Sequence, residues 1–84
     1  MHKESDLVVL LTDRTAKRPG HPDRVHLHRG DVGTVAYVYD SGELYEVEFV
    51  NAAGETVAVE TLRADEIRAV DLRTAMIHVT DLAA

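Results

Sequence analysis

The chemistry that this chain could perform is concentrated in two groups of side chains. The first lies between Asp13 and Asp31, where His26 and His28 stand two apart and share one face of an extended segment, with His21, Asp23 and Asp31 close by in sequence. Zinc takes neutral imidazole nitrogens in a tetrahedral set, and a His-x-His pair supplies two of the four. The remaining ligands would have to come from a loop. The plainer reading is a polar loop whose histidines sit at the surface. His26 and His28 are therefore weak metal candidates, and no metal or other cofactor is assigned.

The same segment holds Arg14, Lys17, Arg18, Arg24 and Arg29. Positive side chains at this density suit a phosphate backbone, with Tyr37 and Tyr39 available as stacking platforms for bases. Against that use stands the scarcity of aromatic residues, three tyrosines and one phenylalanine, and an overall formal charge of −6.

The second group is acidic. Glu46 and Glu48 alternate along one strand face, but paired carboxylates need a cleft that separates their pKa values before they act as acid and base. A solvated strand face accounts for both. Ser5 and Ser41 fall in a terminus and a tight turn with no base placed beside them. The chain is expected to be no enzyme. Arg29-Gly30-Asp31 matches an adhesion tripeptide, a match that arises by chance about once per several thousand positions. Its simpler meaning is structural: Gly30 permits a turn, Asp31 bonds to nearby backbone, and Gly33 marks a bulge or bend.

The elements that must position these groups are short strands. Asp6 to Thr12, "DLVVLLT", is a β-branched apolar run that fits a strand buried on both faces or covered by a neighbour. The next 19 residues, "DRTAKRPGHPDRVHLHRGD", contain Pro19-Gly20 and Pro22 and are expected to form a long loop. Val32 to Tyr39 is the second strand, and "DSGE" is a tight turn with Gly42 supplying positive φ. Leu44 to Val50 alternates, with Tyr45, Val47 and Phe49 on one face and Glu46 and Glu48 on the other. "NAAG" makes a second hairpin connection. Glu55 to Leu62 is the fourth strand, with Val57, Val59 and Thr61 on one face. "RADE" is a helical turn, and Ile67 to Val70 is a brief fifth strand.

Five strands with short connections after the first predict an all-β fold, a small SH3-like five-stranded barrel over residues 1–70. The competing arrangement is an open antiparallel sheet with the tail packed across it. The expected core is Val32, Val35, Val47, Phe49, Val57, Val59, Leu62 and Ile67, closed by Leu7, Val9 and Leu11. Residues 71–84 form a C-terminal extension of ambiguous pattern. Leu72, Met76, Val79 and Ala83 share a helical stripe that Asp71 could cap, whereas Ile77, Val79 and the threonines favour a strand.

Composition narrows the function classes. A chain of 84 residues makes one domain at most, and the absence of cysteine excludes disulfides, thiolate metal sites and thiol nucleophiles. The longest apolar run, "LVVLL", is far short of the roughly 20 residues of a membrane span, and no signal peptide precedes it, so a cytoplasmic protein without a membrane partner is expected. Charge is unevenly placed. Residues 1–29 carry six basic against four acidic side chains, a net of +2, whereas residues 30–84 carry three basic and eleven acidic, a net of −8. The acidic body repels a phosphate backbone and attracts a basic protein.

Nearly all of residues 6–70, with 27–70 as the core, resemble a family of small uncharacterised bacterial proteins, a domain of unknown function. Its pattern reads here as Asp6-Leu7-Val8-Val9-Leu10, the Gly30 to Tyr39 run, Tyr45 to Val50, Gly54 to Thr56 and Ile67-Arg68-Ala69-Val70. The resemblance implies the fold and no particular activity. "RGDVGTVAYV" is also similar to the KOW motif of ribosomal and elongation proteins, in which a Gly-rich turn opens a strand of an SH3-like barrel.

Together these features predict a non-enzymatic protein-interaction module for a more basic partner, in the role of an antitoxin, immunity protein or accessory subunit. Its binding residues would be Glu46, Glu48 and Glu60, supported by Glu43, Glu55, Asp65 and Glu66, and Leu72, Met76 and Val79 of the extension, which could also carry homo-oligomerisation. The alternative is an RNA- or DNA-binding barrel using Arg14, Lys17, Arg18, Arg24 and Arg29.

Overall fold

A computed structural model of the chain describes residues 1–70. Seven strands follow one another: β1 (Leu7–Leu10), β2 (Arg14–Lys17), β3 (Arg24–Leu27), β4 (Val32–Tyr39), β5 (Leu44–Val50), β6 (Thr56–Arg63) and β7 (Ile67–Ala69). Five of them form one antiparallel sheet in the order β6-β5-β4-β1-β7, and β2 and β3 form a separate ribbon. The fold is all-β. Its sheet strands pair sequentially until the last, which returns beside the first in the SH3-like manner. A single 3-10 turn, Ala64–Glu66, makes that return, and Arg63 N–H donates to the Glu66 carboxylate at its start (2.9 Å).

Among the described residues no ladder joins β6 to β7, so the barrel is not closed by hydrogen bonds. The ribbon packs on the core without closing it. Ala16 and Leu27 enter the same core as Val8, Leu10, Val35, Tyr45, Val47, Phe49, Ala58, Leu62 and Ile67, with Val25, Val38 and Val57 packed against it.

The ribbon corrects the expected 19-residue loop. Pro19, Gly20 and Pro22 interrupt only its tip, and the flanking segments pair in the register Arg14↔Leu27, Thr15↔His26, Ala16↔Val25 and Lys17↔Arg24. Burying Ala16 and Leu27 supplies the apolar contact that an isolated two-stranded hairpin lacks.

The inward side of two strands also differs from expectation. In β1 the buried residues are Val8 and Leu10, while Leu7 is exposed and Val9 half-buried; Leu11, just after the strand, is exposed as well. An all-apolar strand carries no alternation from which to choose its phase. In β6, Val59 and Thr61 do share a face, but it is the outer one; Ala58 and Leu62 face the core. A register irregularity at Phe49/Val50 leaves Val57 half-buried. Val32, also expected inside, is exposed.

Gly33 has a packing role. Its backbone lies so close to β5 that a Cβ would come within 2.6 Å of Val47 Cγ1 and 2.9 Å of Phe49 Cε1. The irregularity in β4 falls later, between Val35 and Tyr37, and it turns Tyr37 and Tyr39 to the outer face opposite Glu46 and Leu44. The β4–β5 turn is wound left-handed, with φ of 47° at Asp40, 56° at Ser41 and 102° at Gly42.

Candidate binding face

The outer face of the sheet is built in rows by the strand register. Leu7, Thr34, Glu48 and Val59 form one row across β1, β4, β5 and β6. Tyr37, Glu46 and Thr61 form the next, and Tyr39, Leu44 and Arg63 the one beyond. On the other side of the first row, Arg68, Val9 and Val32 align across β7, β1 and β4, and Val50 joins Val32 along a depression also lined by Leu27, Asp31, Phe49 and Val57. Val32, Tyr37 and Val50 each expose about half of their surface (50, 51 and 52 %), and Leu7, Tyr39 and Val59 more than a third.

Two carboxylates lie within this apolar field. Glu46 Oε2 accepts a hydrogen bond from the Tyr39 hydroxyl (2.8 Å), and Glu46 Oε1 accepts one from the Thr61 hydroxyl (3.0 Å). The Thr56 hydroxyl donates to Glu48. All three donors are neutral, and among the described residues no cation pairs with either glutamate. Their charge is oriented without being cancelled. It also reaches the phenol: the hydrogen bond and negative charge of Glu46 raise the pKa of Tyr39 above its ordinary value. The Tyr37 and Tyr39 rings meet edge to face, 4.7 Å between centroids at 62°.

Glu60 does not join them. It pairs across the sheet with Val47, and so belongs to the inward side of β6, at the rim that the ribbon covers. There Arg14 Nε donates to Glu60 (2.8 Å) and Arg14 Nη1 to Glu66 (2.8 Å), while Nη2 reaches the Thr61 carbonyl at 3.5 Å. The two carboxylates are largely buried. Arg14, a candidate for nucleic acid, is thus occupied by the body of its own protein.

The other basic candidates lie along the ribbon and after it. Lys17 and Arg24 are directly opposed, Arg18 is half-buried behind them, and Arg29 is exposed where the chain leaves the ribbon. His26 lies 3.3 Å from the Thr15 hydroxyl, and the His28 ring lies 3.9 Å from the Asp31 carboxylate. Asp31 accepts from the His28 N–H (2.8 Å), and Gly30 takes a φ of 98°, so the Arg-Gly-Asp segment is a turn. Among the described residues no group of three or more His, Asp or Glu converges as a metal site would require. Leu72, Met76 and Val79 lie outside the described residues. Sequence reasoning missed Val32, Val50 and Val59 as surface residues and the contact between Tyr39 and Glu46. The second was legible in principle, because Tyr37 and Glu46 fall opposite each other once the hairpin register is drawn.

Comparison with protein families matches residues 4–69 to the model of a domain of unknown function, DUF4926. The match spans most of the chain, and the protein belongs to that family. No curated protein and no solved structure matches it. Among the described residues no helix is long and apolar enough to cross a membrane.

Proposed function

We propose that this DUF4926 member is a non-enzymatic module that binds a more basic protein through the outer face of its sheet, as an antitoxin, immunity protein or accessory subunit would. One observation carries this reading. Val32, Val50, Val59 and Tyr37 stand in solvent beside Glu46 and Glu48, whose charge meets no cation among the described residues. Contiguous exposed apolar surface is uncommon on a monomer and favours association. Tyrosines enrich the centre of such interfaces, and unpaired carboxylates select the sign of the partner.

The nucleic-acid alternative loses Arg14, which Glu60 and Glu66 hold. The test is to capture binding proteins on the full chain, identify them, and reconstitute one complex from purified components for calorimetry. Val50→Lys is expected to weaken that complex at least about tenfold, equivalent to about 1.4 kcal/mol. Lys17→Ala with Arg24→Ala is expected to leave it unchanged. The reading is overturned if Val50→Lys binds as well as the wild type, or if the only complex formed is a salt-sensitive one with nucleic acid that the Lys17 and Arg24 substitutions abolish.

A further inference from the structure

We infer that Tyr37, Tyr39 and Glu46 form a recognition site for an arginine side chain presented by the partner. This assignment rests on the reading of the outer face as a protein-binding surface and names what that surface takes.

The geometry supplies what a guanidinium needs. Two phenol rings meet at 62° with centroids 4.7 Å apart, an edge-to-face contact that uses one π-face and leaves half of Tyr37 and more than a third of Tyr39 in solvent. A cation over such a face is attracted by the ring quadrupole, arginine more often than lysine. Beside the Tyr39 hydroxyl Glu46 is already aimed. Tyr39 and Thr61 each donate to a different oxygen, which fixes the plane of the carboxylate. Each oxygen retains acceptor capacity, because a carboxylate has about four lone-pair positions. A planar group with two parallel N–H donors uses both remaining positions at once, and a compact ammonium does not.

Among the described residues, neighbouring charge does not fill the site. Arg63, in the next row of β6, is drawn to Asp65 at 3.1 Å and faces Glu66 at 4.0 Å. The acidic excess of residues 30–84 adds a long-range field of the right sign for a cationic partner.

The probe is the peptide acetyl-Gly-Arg-Gly-amide, titrated into the 15N-labelled full chain, with lysine and citrulline peptides as controls. The arginine peptide is expected to shift the amides of Tyr37, Tyr39, Glu46 and Thr61 with a Kd of about 1 mM, the range of a single weak contact. The lysine peptide should bind about threefold more weakly. Citrulline, which keeps the shape without the charge, should give no saturable shift. Glu46→Gln and Tyr37→Leu should each weaken arginine binding about two- to fivefold, the size of an exposed cation–π or ion-pair contact. Both substitutions fall on the outer face, and their amide spectra report whether the fold is retained.

The assignment is overturned if shifts fall elsewhere, if citrulline matches arginine, or if Glu46→Gln binds as the wild type does. If no shift appears while Val50→Lys still weakens the reconstituted complex, the arginine site falls and the protein-binding reading stands. If the peptide binds as expected while no protein complex can be formed, the arginine site stands and the wider reading falls.

Discussion

The β2–β3 ribbon and the outer face of the β4–β5–β6 sheet both carry charge, and they use it in opposite ways. On the ribbon, Arg14 reaches two carboxylates at 2.8 Å each and ties β2 to β6 and to the turn before β7. On the sheet, Glu46 and Glu48 are held by neutral hydroxyls, and among the described residues no cation pairs with them. A count of charged residues treats the two alike. The hydrogen-bond partners separate them: one charge is mortar, the other is surface.

The largest break in that contrast is Arg14→Met. Removing the guanidinium leaves Glu60 largely buried without a cation and Glu66 with only Arg63, at 4.0 Å, and should lower unfolding stability by about 2–3 kcal/mol. Urea denaturation checks the loss, and amide exchange should show the ribbon opening before the sheet. An unchanged midpoint would mean that Arg14 is as free as Glu46. Gly33→Ala attacks the platform of the sheet face, because the new methyl has no room against Val47 and Phe49. A loss of about 1–3 kcal/mol is expected from overpacking in the same denaturation experiment.

The ribbon tip offers a smaller effect of the opposite sign. Lys17 and Arg24 are cross-strand neighbours, and like charges so placed repel. Lys17→Glu should therefore raise stability by about 0.2–1 kcal/mol at low salt, with the gain fading as salt screens the pair. A gain that does not depend on salt would remove electrostatics as its cause.

The extent to which sequence disclosed this arrangement follows the clarity of its periodicity. Leu44–Val50 alternates apolar and acidic residues, and its buried set is the one the pattern names, Tyr45, Val47 and Phe49. Leu7–Leu10 is apolar throughout, so only its pairing with β4 and β7 decides that Val8 and Leu10 face inward. Thr56–Arg63 failed for a related reason. Its Ala58 is a core residue and Val59 is not, although alternation set Val57 and Val59 on the side expected to face the core. The ribbon was hidden by Pro19 and Pro22, strong local breakers that govern a tip and not the strands on either side. Glu46 could be assigned to a solvated face, but its hydroxyl partners come from β4 and β6, and only the assembled register brings them together.

The finest test of the contrast leaves stability almost unchanged and reads charge directly. Glu46 raises the pKa of Tyr39 through the hydrogen bond it accepts and through its negative charge, both of which oppose forming a phenolate beside it. Glu46→Gln removes the charge and retains an acceptor. The Tyr39 titration, followed by NMR of its ring protons, should then move down toward the ordinary tyrosine value. The sign for folding follows from linkage. A folded-state pKa above the unfolded one means that the native chain binds this proton more tightly. The stabilising contribution is therefore complete below the unfolded tyrosine pKa and is lost as pH rises through the folded one. Glu46→Gln should reduce that alkaline dependence, whereas Arg14→Met should leave the Tyr39 titration in place while weakening the fold. A downward move of Tyr39 in Arg14→Met as well would mean that the two charge systems are coupled, and that the ribbon helps to set the charge which the sheet face presents.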